Sequence, residues 1–522
     1  MKPFLIHHFL EQSAEFFPNK TAVIHEKTRA SYARINTSAN NLAKWLINKG
    51  VKGGDRVVYI LENSLEYIVS YYGILKTGAV AVSLSSDIKP AGLKPLLQEL
   101  EPTVLIFSSK FERLIKAVDL SQFKINSLIL IKPRLKWEES EINLSIWDDI
   151  IENEQTENHD ILIKQSELAS IIYTSGSTGK SKGVMLTHNN IIANTKSICT
   201  YLNLTDKDKQ MVVLPFFYSM GKSLLNSHFA VGGTIVINNK FAFPVTVLKQ
   251  MEEERVTGFS GVPSTYAYLL HRSPLADYKN RFKSLRYCTQ AGGHMATQIK
   301  KKLKKILPDH TEIYIMYGAT EASARLTYLE PDKFEEKMTS IGKSISGVAI
   351  KIFDKNGMEV PSGHTGELVA SGNNIMQGYW KDLETTEKIL DEHGYHTGDH
   401  GYIDKEGYFF LKGRKDNLLK TGGHRISIQE IEDIIMNTDL VIETYVIGIP
   451  DDLLGNKLIA FVTPKNSEIN EKMILSQCAK SLPKYKLPSI IKKVKVIPKN
   501  ANGKIDREKC LQLIVKNGDE IS

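Results

Sequence analysis

The run Ile171-Ile172-Tyr173-Thr174-Ser175-Gly176-Ser177-Thr178-Gly179-Lys180-Ser181-Lys182-Gly183-Val184-Met185 narrows the folds open to this chain more than any other stretch. A β-branched apolar strand enters it, and Val184 to His188 follows without a further linker. Between them stand hydroxyl residues and glycines. Gly176, Gly179 and Gly183 let the backbone adopt positive φ and approach a ligand closely. The Thr and Ser hydroxyls, the exposed N–H groups and the lysines are donors suited to phosphate oxygens. A solvated linker can share this Gly/Ser composition, but the flanking strands argue against one. A Walker A loop shares the Gly179-Lys180-Ser181 end, yet needs a glycine where Thr174 stands. That loop is excluded.

At 522 residues the chain is too long for one simple core, and about three or four folding units are expected. Its 67 basic and 59 acidic side chains leave +8, a mild excess that requires no nucleic-acid partner. The Lys300-Lys301-Lys302 and Lys304-Lys305 cluster reads as the solvated face of a helix. Cys199, Cys288, Cys478 and Cys510 lack metal-like spacing and read as reduced structural thiols. No apolar run reaches the ~18 residues of a spanning helix, and the N-terminus lacks a signal pattern. The expectation is a soluble cytoplasmic protein with no integral membrane segment.

Up to about residue 165, helix-like and strand-like segments alternate. Helical spacing covers 38–48 and 65–76, and short apolar strands are expected at 55–61, 79–84 and 103–107. This order argues for a largely parallel, doubly wound sheet. The acidic stretch 137–160 has little periodicity and reads as a surface connection. From 166 to about 335 the alternation resumes, with strands at 211–217, 232–237, 256–262 and 313–317. From about 336 to 415, short strands at 349–353, 366–370 and 408–411 are separated by Asn-Gly and Ser-Gly turns. They suggest a small β-barrel-like subdomain. The run 412–417 marks a domain boundary, after which α/β character returns at 429–437, 444–448 and 458–462.

The order Tyr-Thr-Ser-Gly-Ser-Thr-Gly-x-x-Lys-Gly at 173–183 resembles the phosphate loop of the adenylate-forming enzymes. That superfamily holds acyl-CoA synthetases, adenylation domains of peptide synthetases and luciferases. The likeness runs in order along nearly the whole chain. It implies a large α/β N-terminal domain (1–415) with two doubly wound sheets and the β-barrel-like subdomain. A small mobile α+β domain (416–522) follows.

By the same resemblance, Thr174, Ser175, Gly176, Ser177, Thr178, Gly179 and Lys182 hold ATP phosphates. Gly292, Gly293 and His294 border adenine, although the family more often has Ala-Pro at 294–295. Tyr317 and Gly318 open the Tyr-Gly-x-Thr-Glu motif, in which Thr320 reaches a phosphate and Glu321 supplies a hard oxygen to Mg²⁺. Asp399 accepts the ribose hydroxyls, with Arg414 beside it. Phe217, Tyr218, Gly221, Val262 and Tyr266 line the acyl pocket, although such aromatics are more often ordinary core residues. At the place of Tyr218, adenylation domains for α-amino acids usually carry an Asp that pairs with the substrate ammonium, so a plain carboxylic acid is favoured. Lys222 either adds charge near the pocket mouth or is a solvated lysine. Lys504, in Pro-Lys-Asn-Ala-Asn-Gly-Lys, resembles the family lysine that touches the substrate carboxylate and the α-phosphate. Asp416 matches the hinge, and Gly423, His424 and Arg425 match the loop along the thiol path.

The reaction implied is ATP-dependent activation of a carboxylic acid to an acyl-adenylate, then transfer to a thiol. The thiol is CoA or, alternatively, a phosphopantetheinyl carrier protein. A third reading, a non-catalytic nucleotide-binding protein, is disfavoured because Thr320, Glu321, Asp399, Arg414 and Lys504 are all intact.

Overall fold

Two large sheets take up most of the apolar strands. The computed structural model describes residues 4–137, 143–152, 157–174, 181–414, 418–421, 424–451, 455–500 and 503–515. The first sheet has eight strands, in the order Gly378–Tyr379, Lys182–Thr187, Leu168–Thr174, Val80–Ser83, Arg56–Ile60, Val104–Ser108, Ser127–Ile131 and Asn143–Ile146. From Leu168–Thr174 onward its neighbours are parallel. Ser127–Ile131 and Val80–Ser83 are buried throughout, as parallel strands covered on both faces must be. The helix Leu65–Lys76 has the bounds read from the sequence. Ser64 Oγ caps it by accepting from the Tyr67 N–H, and Gly78 follows it at φ +77°.

The second sheet has nine strands, and Glu312–Tyr317, Tyr287–Gln290, Gly258–Gly261, Lys209–Val212, Thr234–Ile237 and Thr21–His25 form its parallel centre. Gly258 is required in its strand, because a Cβ there would stand 2.2 Å from the ring of its register partner Tyr287.

The sheets do not follow the expected division near residue 165. Thr21–His25 and Thr28–Ser31 belong to the second sheet, while Leu168–Thr174, Lys182–Thr187 and Gly378–Tyr379 complete the first. Parallel pairing needs a crossover, so strands adjacent in sequence need not be neighbours in a sheet. The stretch 137–160 is also more than a connection. It supplies the edge strand Asn143–Ile146 and the helix Trp147–Ile151, which buries Trp147 and Ile150. Its edge strand is only half-buried, which explains the weak periodicity. The helix expected from residue 38 starts at Tyr32, where Ser31 Oγ accepts from the Arg34 N–H.

The β-barrel-like subdomain is a five-stranded antiparallel sheet containing Val348–Phe353, Gly366–Gly372, Gly394–Ile403 and Phe409–Arg414. The C-terminal part pairs Val441–Asp451 with Gly455–Pro464, to which Ile490–Lys493 adds in parallel. Its helix Ile428–Asn437 faces the helix Thr297–Ile306 of the larger part. There the lysine cluster departs from a solvated face. Lys300 is buried with its Nζ donating to Met338 O at 2.6 Å, and Lys302 pairs with Asp439 at 2.6 Å across the domain contact. Among the described residues, no helix is long and apolar enough to cross a membrane.

Candidate active site

Thr174 and Lys182 are cross-strand partners in the hairpin of Leu168–Thr174 and Lys182–Thr187. Both ends of the glycine-rich loop are therefore held by sheet hydrogen bonds. Ser175, Gly176, Ser177, Thr178 and Gly179 lie outside the described residues. Lys182 Nζ stands 5.1 Å from the centre of the Tyr379 ring, and the Tyr379 hydroxyl donates to Glu321 Oε1 at 2.8 Å. Tyr379 reaches this place because Gly378–Tyr379 pairs with Met185 and Val184 at the edge of the first sheet. Burial and the Glu321 charge both push its phenol upward, so it stays a donor. The sequence alone does not single out Tyr379. Its only local signal is the aromatic pair Tyr379-Trp380 after Gly378.

The strand Glu312–Tyr317 leads into the turn that presents Thr320 and Glu321. Gly318 lets that turn close, since a Cβ there would meet Ala324 O at 2.2 Å. Thr320 is buried with its Oγ1 3.0 Å from Ser219 Oγ, at the start of the helix Ser219–Ala230. The Tyr317 hydroxyl donates to Asp399 Oδ2 at 2.6 Å, and Arg414 Nε lies 3.8 Å from Asp399 Oδ1. Asp399 and Arg414 are register partners on adjacent antiparallel strands. Burial raises the Asp399 carboxyl above the ordinary carboxylate value, opposed by the Arg414 charge and the Tyr317 hydroxyl.

After Lys209–Val212 the chain turns sharply through Phe216, Phe217 and Tyr218. Asn63 clamps this turn, donating to Leu214 O at 2.8 Å and accepting from the Phe216 N–H at 2.7 Å. Gly221 is required by it, because a Cβ would stand 2.1 Å from Pro215 O. Phe217, Val262 and Tyr266 are buried and Tyr218 half-buried. The Tyr266 hydroxyl donates to Thr289 O at 2.7 Å, which ties it to the core. Lys504 arrives from the C-terminal domain, with its Nζ 5.2 Å from the Tyr218 ring centre. Ser264 Oγ anchors the preceding residue by donating to Gly503 O at 2.7 Å. Gly292, at φ +84°, keeps this approach open. A Cβ there would lie 3.2 Å from Val262 Cγ1 and 3.8 Å from Lys504 Cε.

Two side chains make contacts that their motifs do not signal. The His294 side chain turns to the C-terminal domain, where Nδ1 accepts from Gln429 Nε2 at 2.8 Å and Nε2 lies 2.7 Å from Asp433 Oδ1. Helix Ile428–Asn437 offers it hydrogen-bonding partners on its facing side, while Gly293 O is held by Gln290 Nε2 at 2.8 Å. Lys222 lies neither at a pocket mouth nor in solvent. It is 2% exposed, because the helix that carries it is buried on every side. Asp416 and Gly423 lie outside the described residues. His424 and Arg425 pair with Thr421 and Lys420 in a two-stranded hairpin.

Residues 10–380 match the family model of the AMP-binding enzyme, and residues 430–504 that of its C-terminal domain. The chain belongs to the AMP-binding enzyme family. This AMP-binding enzyme is 30% identical to the long-chain-fatty-acid–CoA ligase of Bacillus subtilis (strain 168), over 97% of its own length and 94% of the relative's. It is 31% identical to the medium-chain fatty-acid–CoA ligase of Escherichia coli (strain K12), over 96% and 88%. The anthranilate CoA ligase AuaEII, solved in complex with anthranoyl-AMP, superposes with a TM-score of 0.89 at 26% identity, covering 98% of each chain.

Proposed function

We propose that this AMP-binding enzyme is an AMP-forming acid–CoA ligase. One observation carries the reading: Lys504, from the C-terminal domain, stands at the Tyr218 ring on the turn whose next residue, Ser219, meets Thr320. The relatives named as CoA ligases supply the thiol, and the acyl-adenylate bound to one of them supplies the intermediate.

A carboxylate is a poor electrophile, being anionic and without a good leaving group. Attack of its oxygen on the α-phosphorus of ATP forms the acyl–phosphate bond and releases pyrophosphate. Two anions must approach each other in that step, so fixed cations and donors lower its barrier. In this reading Lys504 meets the substrate carboxylate and the α-phosphate, while Lys182 and the 174–179 loop hold the outer phosphates. Asp399, steadied by Arg414 and Tyr317, accepts from the ribose. The backbone at Gly292 and Gly293 borders the base. The Glu321 carboxylate, oriented by Tyr379, and the Thr320 hydroxyl are hard oxygen donors that fit Mg²⁺, which would neutralise phosphate charge there. Thiol attack at the acyl carbonyl then expels AMP. That step needs the space occupied by Lys504, so we assign the hinge to Asp416 and the thiol path to Gly423, His424 and Arg425.

Tyr218 offers no charge to an α-ammonium, so the acid is one without it. The test is ATP–pyrophosphate exchange across aliphatic, aryl, dicarboxylic and amino acids, followed by thioester formation with CoA and with carrier proteins. Exchange with simple acids and thioester only with CoA is expected. Exchange driven solely by amino acids, or thioester only on a carrier, overturns the assignment.

A further inference from the structure

Among the described residues of the first half of the chain, two lysines are buried, and they are treated differently. Lys76 is paired with Glu11. Lys222 meets no carboxylate among the described residues. Its Nζ donates to Ser83 Oγ at 3.1 Å and Ser170 Oγ at 3.4 Å, and lies 5.0 Å from the Tyr71 ring centre. A buried ammonium that meets two neutral hydroxyls and an aromatic ring, with no counter-charge, is costly. Burial accordingly lowers its pKa to about 7.

Its position gives this cost a use. Lys222 follows Tyr218 by four residues and Ser219 by three, which puts all three on one helix face. Asn226 continues the stripe, donating to the Tyr71 hydroxyl at 3.3 Å, while its Oδ1 has no partner. The Tyr59 and Tyr67 hydroxyls lie close to Ser83 and to each other. The Tyr67 ring packs on Phe216 at 5.3 Å, so this polar stripe begins directly beneath the turn that carries Tyr218. Lys504 stands on one side of that turn, and Lys222 one helical turn, ~6 Å along the axis, beyond it.

We propose that Lys222 pairs with a second carboxylate on the acid, so that this enzyme activates dicarboxylic acids with the distal carboxylate inserted along the Tyr218–Lys222–Asn226 face. The inference rests on the acid–CoA ligase reading and names the substrate class of that site. The first carboxylate is consumed at Lys504, while the second stays ionised and keeps the product's far end beside Lys222. The groups that meet Lys222 from the other elements are Ser83, Ser170 and the Tyr71 ring, with the Tyr59 and Tyr67 phenols beside Ser83. All three phenols are pushed upward by burial and stay neutral. Among the described residues no carboxylate meets Lys222, and the distal carboxylate of the acid fills that role.

Purified full-length enzyme is assayed by ATP–pyrophosphate exchange with diacids from succinate to suberate and with monoacids of equal length. The best diacid should exceed its matched monoacid by about 10²-fold in kcat/KM, the scale on which a site discriminates when a buried polar group would otherwise be unpaired. That ratio should fall as pH rises through about 7, where free Lys222 loses its proton. Lys222→Met should reverse the preference, mainly through KM for the diacid, and raise use of the monoacid several-fold. Wild-type preference for monoacids or hydroxy acids overturns the proposal while leaving the ligase reading intact. Failure of every acid to support exchange overturns both. Because the wild-type panel and its pH profile decide by themselves, a poorly folded variant does not rescue the idea. With a folded variant, verified by its melting temperature, an unchanged diacid preference also overturns it.

Discussion

The site around Lys504 and the stripe around Lys222 put a lysine on either side of the same turn, under opposite physical conditions. Lys504 is exposed and carried on a separate domain, in a turn closed by Asn500 and anchored at Gly503 O by Ser264. Lys222 is enclosed by two neutral hydroxyls and an aromatic ring, on a helix buried all round. A cation that must enter and leave during a reaction cycle belongs on a movable, solvated support. A cation that reads one end of a substrate gains most where water is excluded, since low dielectric strengthens its pairing. On the roles proposed above, two groups of one residue type divide the work of timing and selection.

The largest expected effect tests the timing half. Lys504→Ala should slow acyl-AMP formation by about 10³-fold, while thioester formation from supplied acyl-AMP survives. Asp416→Pro should show the reverse bias, because proline fixes φ at the proposed hinge. Equal loss of both half-reactions in folded variants of each kind would remove the alternating-domain account. Next in size is Glu321→Gln, expected to cost about 10²–10³ in adenylation rate, or ~3–4 kcal/mol, with a raised Mg²⁺ requirement. An unaltered Mg²⁺ titration would place the metal ligand elsewhere. Tyr379→Phe removes only the hydroxyl that orients Glu321, so about a tenfold loss is expected, again read in the Mg²⁺ titration.

These sites differ sharply in how far the sequence disclosed them. Thr320, Glu321, Asp399 and Lys504 sit in short contiguous motifs, where the turn chemistry and the functional group lie within a few residues. Tyr379 comes from a two-residue edge strand that is set beside Glu321 by its pairing with Val184 and by the Met376 N–H donating to Glu321 O at 2.8 Å. Nothing local signals that pairing. Lys222 was misread because Ser219, Lys222, Ser223, Asn226, Ser227 and His228 are all buried, so polarity did not mark an outward face. The cores of both sheets were legible from apolar runs. Their membership was not, since Thr21–His25 crosses to the second sheet through a parallel pairing that local pattern cannot show.

A smaller effect probes how Lys504 is presented. His294 is gripped by Gln429 and Asp433 in the arrangement that brings Lys504 to Tyr218. Asp433→Ala should slow adenylation by no more than about fivefold, since partly exposed ion pairs contribute ~1 kcal/mol or less. Thioester formation from supplied acyl-AMP should not slow, because that step does not need this docking. Slowing of both steps alike would mean that the contact supports the fold instead of one arrangement of it.

The smallest effect concerns stability, and it isolates the buried lysine without any substrate. In the folded chain burial lowers Lys222 from 10.5 to about 7, so between those values the unfolded chain binds a proton that the folded one does not. Stability must then rise with pH across that window, by at most ~1.4 kcal/mol per pH unit from this group. Other groups titrate there too, among them Lys300, lowered to about 8, and Glu432, raised to about 8, both by burial. The informative quantity is therefore the difference between wild type and Lys222→Met in denaturant titrations at pH 7 to 10. The variant should be more stable at pH 7, and its advantage should shrink as pH rises, because the wild type is relieved of the cost of neutralising or burying its ammonium. A variant that is less stable at pH 7 would mean that Lys222 is already satisfied without a ligand. The contrast between a lysine for timing and a lysine for selection would then lose its second member.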